Sequence, residues 1–365
     1  METCPAAKTE TDLTSAMKKE DIKSFEYERL KDLVARMGEK SFRADQIFKW
    51  IHRDHASSFD EMTNLSKELR RRLDEEFEIR DVKEVRRLRS GLDGTTKFLF
   101  ELADGNVIES VLLRYGHGNS VCVSTQAGCR MGCAFCASAI GGLSRNLTAS
   151  EILSQVYKIE DITGERVSNV VLMGSGEPFD NYESVTAFIR LLSDERGRNL
   201  SARNITVSTC GLVPGIRRLA DEGLPVTLAV SLHASDDKKR RELMPVANAY
   251  SLASLIGACA YYREKTGRRV TFEYSLIRGV NDSREDAERL CALLKGLNCH
   301  VNLIALNPVK EKGLHAPASG EVARFKNNIE KNGINVTIRR EMGRDIDGAC
   351  GQLRRGYIRE NQEGG

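Results

Sequence analysis

The chain has 365 residues, of which 41% are hydrophobic and 29% charged, with a formal net charge of +3. That length suits one large domain plus a smaller one with a real core. No apolar run approaches the ~20 residues of a membrane span, and the stretch from Met1 to Lys23 is polar and charged, so membrane-spanning and secreted classes are set aside and a cytoplasmic protein is expected.

In a reducing compartment the ten cysteines read as thiols, ligands or catalysts rather than a disulfide framework. Cys210, Cys259, Cys291 and Cys299 lie in apolar runs and read as small buried hydrophobes. The net charge is too small to name a nucleic-acid partner. Local clusters say more: Arg70 to Arg72, Arg86 with Arg87 and Arg89, Arg339 and Arg340 with Arg344, and Arg354 with Arg355 could neutralise phosphates, although solvated helix faces explain any one of them equally well.

In chain order, residues 1–22 read as a disordered lead. From Glu26 to Phe77 apolar residues recur at helical spacing (Leu30, Leu33, Val34, Met37; Phe42, Ile47, Phe48, Ile51; Met62, Leu65, Leu69), which predicts a small helical domain over 23–78. Its Lys40, Arg43, Lys49, Arg53 and Lys67 suit an RNA-binding accessory unit and any soluble bundle equally. Residues 79–116 switch to a β extension, with Asp93-Gly94 and Asp104-Gly105 as turns between strands at Lys97–Leu102 and Asn106–Leu113. Alternation puts Glu109 on one face with Val107, Val111 and Leu113. Sequence alone favours an exposed edge-strand position for it; burial would instead raise its pKa and make it a proton acceptor.

From Ser120 onward strands near 120–125, 168–173, 204–209, 225–232, 269–277, 299–306 and 334–339 alternate with helices at 182–194, 212–222, 250–265, 283–296 and 319–332. This pattern predicts parallel β/α units over 117–350. A helix after the cysteine loop opens with the capping box Thr148 to Glu151, no long-period repeat is visible, and residues 351–365 read as a tail that frays after Gly356. Polar and glycine-rich segments follow the strands: Gly174-Ser175-Gly176-Glu177-Pro178, Ser208 to Gly211, Ser231-Leu232-His233, Asn281-Asp282 and Asn307-Pro308. They fall where β/α folds build active sites.

Cys129, Cys133 and Cys136, spaced C-x3-C-x2-C, sit in the first of these loops. An iron-sulfur cube takes a cysteine per iron, so three thiolates for four irons leave one iron open to a chelating molecule. Structural zinc, with His117 or Cys122 as fourth ligand, is the alternative, but the paired C-x2-C knuckles usual for zinc are missing.

The cysteine loop, the Gly-Ser-Gly-Glu-Pro segment and Asp345-Ile-Asp-Gly-Ala-Cys350-Gly-Gln-Leu353 together resemble the radical S-adenosylmethionine (SAM) 23S ribosomal RNA adenine carbon-2 methyltransferases, over roughly residues 25–357. The resemblance implies an α/β fold: a partial (β/α)6 radical-SAM barrel with an N-terminal helical domain and a β-hairpin extension. It implies a 4Fe-4S cluster on Cys129, Cys133 and Cys136, and SAM held by Gly176, Glu177, Ser208, Ser231, Leu232, His233 and Asn307. Glu109 matches the family's proton acceptor, and Cys122 and Cys350 its two additional catalytic cysteines. Carbon 2 of adenine is electron-poor and cannot attack a SAM methyl group directly. In the family, Cys350 would take a methyl group from one SAM, and a radical from a second SAM would activate that methyl for addition to the ring. Glu109 would then take the ring proton, and Cys122 would attack the sulfur of Cys350 to release product, leaving a transient Cys122–Cys350 disulfide. Expected partners are 23S ribosomal RNA before ribosome assembly, transfer RNA as a second substrate of some members, and an electron donor such as flavodoxin or ferredoxin; a monomer with no membrane contact is expected. Ser175 departs from the methionine of many members, and Pro178 favours the carbon-2 group over the related carbon-8 methyltransferases.

Overall fold

The computed structural model describes residues 19–307, 312–346 and 351–363. Two short strands, β1 (Glu20–Asp21) and β2 (Phe77–Glu78), pair in parallel and close the ends of the N-terminal unit. Between them run α1 (Tyr27–Arg36), α2 (Phe42–His52) and α3 (Lys67–Glu76). The helical spacing works as expected: Leu30, Leu33 and Val34 of α1 and Ala44, Ile47, Phe48 and Ile51 of α2 are buried. Ser66 caps α3 by accepting the Leu69 N–H. The expected lead extends too far, because Asp21 and Ile22 are buried and Phe25 packs edge-on to Phe77 at 5.7 Å. Order therefore begins before residue 22, wherever those apolar groups reach the core.

The β extension consists of β3 (Lys83–Arg89), β4 (Thr96–Glu101) and β5 (Val107–Tyr115), an antiparallel meander that continues into β6 (Gly118–Cys122). After a small hairpin of β7 (Gln126–Gly128) and β8 (Leu143–Asn146), the chain enters α4 (Ala149–Thr163) and then alternates. The order is β9 (Val167–Leu172), α5 (Tyr182–Ser193), β10 (Ile205–Thr209), α6 (Val213–Glu222), β11 (Thr227–Ser231), α7 (Asp237–Leu243), α8 (Leu252–Thr266), β12 (Val270–Leu276), α9 (Arg284–Leu294), β13 (Cys299–Ala305), α10 (Ser319–Lys331), β14 (Asn335–Ile338) and α11 (Gln352–Glu363).

All strands from β3 to β6 and from β9 to β14 form one ten-stranded sheet, in chain order from one edge to the other. The strands β6 and β9 to β14 are mutually parallel, and the sheet stays open, as a partial barrel does. The β extension is thus part of the barrel's own sheet. Two expectations fail here for one reason. Glu109 is not at an edge, since β5 pairs on both sides and Glu109 is 3% exposed. The tail is not frayed: α11 docks on that face, with Leu353 against Leu99 and Val107 and with Arg86 both bonded to Glu360 and lying over the Tyr357 ring. Among the described residues no helix is long and apolar enough to cross a membrane.

The helical unit rests on α4. Lys23, 4% exposed, donates from Nζ to Ser154 Oγ at 3.0 Å and lies 3.9 Å from Asp81. His52 Nδ1 is 3.2 Å from the Tyr157 hydroxyl, and the His55 ring stacks on Tyr157 at 4.2 Å. One apolar core runs from α1 through α4 into the barrel.

Candidate active site

The cysteine loop is braced by its backbone and by neighbouring side chains. Cys129 N–H donates to the Gly142 carbonyl (3.0 Å) and Ala134 N–H to the Leu243 carbonyl (2.9 Å), while Asn181 Nδ2 donates to the Thr125 and Leu147 carbonyls at 2.9 and 2.7 Å. Arg130 Nε and Gln126 Nε2 both donate to Asp180 Oδ2 at 2.9 Å. This scaffold presents the Cys129, Cys133 and Cys136 thiols to a single cavity of about 350 Å³ at the C-terminal ends of the parallel strands. Burial pushes the Cys129 thiol up to about 11, and burial first, then the neighbouring thiols, pushes Cys133 higher still. Such thiols stay protonated until a cationic centre takes the protons' place. Among the described residues no three His, Cys, Asp or Glu side chains converge on one point as ligands of a single ion would. Three thiols around one cavity suit the separate irons of a cluster, whereas structural zinc gathers four ligands on one ion.

Across the cavity stand Gly176, Glu177, Ser208, Ser231, His233 and Asn307. Gly176 has φ +110°, and a Cβ there would lie 2.7 Å from the Gln126 side chain, so only glycine lets the two loops meet. Glu177 is buried, with Oε1 accepting the Phe179 N–H (3.0 Å) and Oε2 the Cys210 N–H (2.7 Å). Burial raises its pKa, and those two N–H groups oppose the rise. A ligand ammonium here would oppose the rise further. His233, held at φ +53°, accepts the Ser275 N–H on Nδ1 at 2.9 Å, so its proton sits on Nε2. Burial, reinforced by nearby Arg240, drops its pKa to about 3, leaving a neutral ring packed edge-on to Phe135 at 4.7 Å. Leu232 does not line the cavity; its side chain is fully buried in the core, and its carbonyl accepts from Arg240 Nε at 3.2 Å.

Cys122 lines the same cavity, on β6 directly opposite Val111 of β5. Glu109 stands two residues further along the Val111 face, under the start of α11. Cys350 lies outside the described residues, immediately before Gly351. Ser175 Oγ is 3.1 Å from Ser138 Oγ, so the residue that departs from methionine ties its loop to the segment just after Cys136.

Two cavity-side residues escape sequence reasoning. Arg240 is fully buried and donates from Nη2 to the Cys210 carbonyl at 2.7 Å, behind Cys133. It hides in the run Lys238 to Arg241, which reads as a solvated face; its only signal is that it shares the buried side of α7 with Leu243. Glu273 of β12 also lines the cavity; burial raises its pKa against Arg339 and Asn302, and Asn302 Nδ2 donates to it at 3.0 Å.

A three-thiol loop and a carboxylate-bearing glycine loop at the C-terminal mouth of an open parallel barrel define a radical-SAM enzyme. Residues 123–291 match the Radical SAM superfamily, whose members use a 4Fe-4S cluster and SAM. The crystal structure of a radical SAM methyltransferase from Sphaerobacter thermophilus superposes with a TM-score of 0.86 at 45% identity, covering 91% of this chain and 98% of that one. Residues 20–79 match the Ribosomal RNA large subunit methyltransferase N-terminal domain. Two curated proteins, each described as a probable dual-specificity RNA methyltransferase RlmN, align over 94% of this chain. The one from Lachnospira eligens is 58% identical with 98% of its length covered, and the one from Lachnoclostridium phytofermentans 56% identical with 97% covered. The chain belongs to the RlmN family of radical-SAM RNA methyltransferases.

Proposed function

We propose that this chain methylates carbon 2 of adenine 2503 in 23S ribosomal RNA, and an adenine of some transfer RNAs, through a methylated cysteine and with two SAM molecules per turnover. The observation that carries this reading is the meeting of Cys122 with the three loop thiols in one cavity, with Glu109 on the adjoining strand bonded to the residue that follows Cys350.

Cys129, Cys133 and Cys136 would hold the cluster, which when bound supplies the electron that opens a radical route to an unreactive ring carbon. Glu177 and Gly176 take the SAM amino group; Ser208, Ser231, His233 and Asn307 line the remainder of the SAM site, and Leu232 contributes through its backbone. The Cys350 thiolate displaces a methyl group from SAM, the most direct way to store it beside the ring. Once the new carbon joins the ring, Glu109 accepts the ring proton. Cys122 then attacks the Cys350 sulfur; the electron pair of that sulfur's bond to the new carbon passes to the carbon, which takes up the proton given up by the Cys122 thiol to become methyl, a disulfide forms, and an external thiol reductant resets the pair. The N-terminal helical unit, the basic residues Arg339 and Arg340 at the cavity wall, and exposed Arg344 suit a phosphate backbone.

The test is expression in cells lacking their own enzyme, with the methylated adenine mapped by mass spectrometry. Methylation at carbon 2 is expected; methylation at carbon 8 would replace the regiochemistry and keep the class. Anaerobically purified protein should be brown and lose iron on Cys133→Ala, whereas a colourless zinc protein contradicts the reading. Cys122→Ala should stall as a covalent protein–RNA adduct that collapses on nuclease treatment, and Cys350→Ala should form no adduct.

A further inference from the structure

The cysteine loop crests at the surface beside α7. Gly132, between Cys129 and Cys133, is exposed at φ +71°, and a Cβ there would lie 3.4 Å from the ring of Pro245, which is itself exposed just past α7. The inner side of α7 is joined to the loop. The Leu243 carbonyl accepts the Ala134 N–H at 2.9 Å, and Leu243 and Met244 pack with Met131, Cys133 and Phe135. With Arg240 and Leu243 turned inward, the helical repeat turns Lys238, Arg241 and Glu242 outward, and all three are exposed. Lys238 and Arg241 enter no ion pair among the described residues.

The neighbouring ion pairs add to this charge instead of cancelling it, because the carboxylates that the cations bind most closely lie inside. The Arg130 side chain is 63% exposed and donates from Nε at 2.9 Å to Asp180, whose side chain is 9% exposed. Lys239 and the exposed Arg289 both bind the fully buried Asp286, at 2.7 and 2.6 Å. Asp237 is occupied by the Leu252 N–H at 2.8 Å. A partner approaching the loop crest over α7 therefore meets a rim of cations, with Glu242 as the exposed carboxylate on that stripe. Such a rim attracts an acidic partner and orients it.

This face stands apart from the side that suits RNA. The strand leading into α7 is β11, three strands from β6, since β11, β10, β9 and β6 are consecutive in the sheet; Cys122 lies on β6 and the extension beyond it. Arg339, Arg340 and Arg344 follow β14, and their segment runs back to the extension, where Gly343 N–H donates to Asp93 Oδ2 at 2.9 Å and Asp345 accepts from Ser90 Oγ at 2.6 Å. An RNA held there leaves α7 uncovered, so that substrate and a second partner can be bound together.

We propose that the α7 face, centred on Lys238 and Arg241 beside the Gly132 crest, is the docking surface for a small acidic one-electron carrier protein that serves the centre held by Cys129, Cys133 and Cys136. The inference rests on the function proposed above, which needs an electron delivered from outside the chain. The carrier's cofactor loses one electron, the thiol-held centre gains it, and no covalent bond is made or broken between the two proteins. Encounters of this kind use a small interface, and charge rather than apolar area brings the partners together.

The test uses anaerobically purified holoenzyme and a flavodoxin as the carrier. The variants are the double charge reversal Lys238→Glu/Arg241→Glu and its opposite, Glu242→Lys. Affinity for the flavodoxin, read by isothermal titration calorimetry at low salt, should weaken at least tenfold in the first, strengthen in the second, and fall for wild type as salt is raised. RNA methylation driven by flavodoxin and its NADPH-dependent reductase should drop at least tenfold in the double variant, whereas methylation driven by dithionite should match wild type. Unchanged affinity in both variants, or no wild-type binding at low salt, overturns the docking surface. A raised KM for RNA with dithionite in the double variant assigns the face to RNA and overturns it as well. If wild type fails to methylate RNA with dithionite, the function proposed above fails, and the calorimetry still judges the docking face.

Discussion

Arg240 places a cation behind the cysteine loop, and its buried Nη1 has no hydrogen-bond partner among the described residues. Burial pulls its pKa down while the Cys210 and Cys133 thiols hold it up, so the charge is kept by what faces it. A fixed positive charge favours the more negative state of any redox group held by Cys133. Arg240→Met should therefore retain iron but shift the cluster midpoint potential to more negative values in an anaerobic spectroelectrochemical titration, and Arg240→Lys should restore much of the difference. Equal potentials in all three proteins would leave Arg240 a structural role only. His52 is the other informative residue. Burial lowers its pKa from 6.5 to about 3, with Lys23 and His55 adding to the drop, so the unfolded chain binds a proton that the native seam refuses. Stability from this group is intact above pH 6.5 and falls as pH drops toward about 3, by up to about 1.4 kcal/mol per pH unit. The urea midpoint of wild type should decline across that window more steeply than that of His52→Phe, which cannot take the proton.

Among the elements, α4 starts with a complete capping box. Thr148 Oγ1 accepts the Glu151 N–H at 3.2 Å, Glu151 Oε2 accepts the Thr148 N–H at 2.9 Å, and Glu151 also binds Arg145 of β8 at 2.7 and 2.8 Å. Thr148→Ala should cost about 1 kcal/mol in urea unfolding, the usual worth of such a cap. Glu151→Gln should cost more than the cap alone, because it also breaks the tie to the hairpin that ends the cysteine loop. That capping box was legible in the sequence, as were the strands β9 to β14. They read as strands rich in β-branched and aromatic residues, as in Val270–Leu276, where Val270, Phe272, Tyr274 and Leu276 alternate with polar residues. The setting of Glu109 was not legible, because its burial depends on α11, a polar helix with Gly356 inside it whose docking partners lie on the far side of the sequence. Arg240 was hidden for the opposite reason: its local context is charged, and only the packing of α7 turns it inward. For Leu232 the resemblance implies a ligand contact, while the structure buries its side chain in the core just past the end of β11. The meeting of the three loop thiols at one cavity was legible because their spacing is a local property.

At the scale of the molecule, the sheet has one property that bears on how the enzyme is made. Each strand from β3 to β14 in the large sheet lies beside the strand that precedes it in that sheet, so a growing chain can add them one at a time without leaving a gap to be filled later. The cysteine loop, Glu177 and the strand ends bearing Ser208, Ser231 and His233 are then in place before residues 335–363 have been synthesised. A chain ending at residue 306 should still acquire iron under anaerobic reconstitution and be unable to methylate RNA; failure to take up any iron would contradict that order. The helix that Glu109 grips follows all of these strands in the chain. During biosynthesis the cysteine loop and the strand ends that line the cavity therefore emerge ahead of the helix that fixes Glu109, so delivery of the metal need not wait for α11.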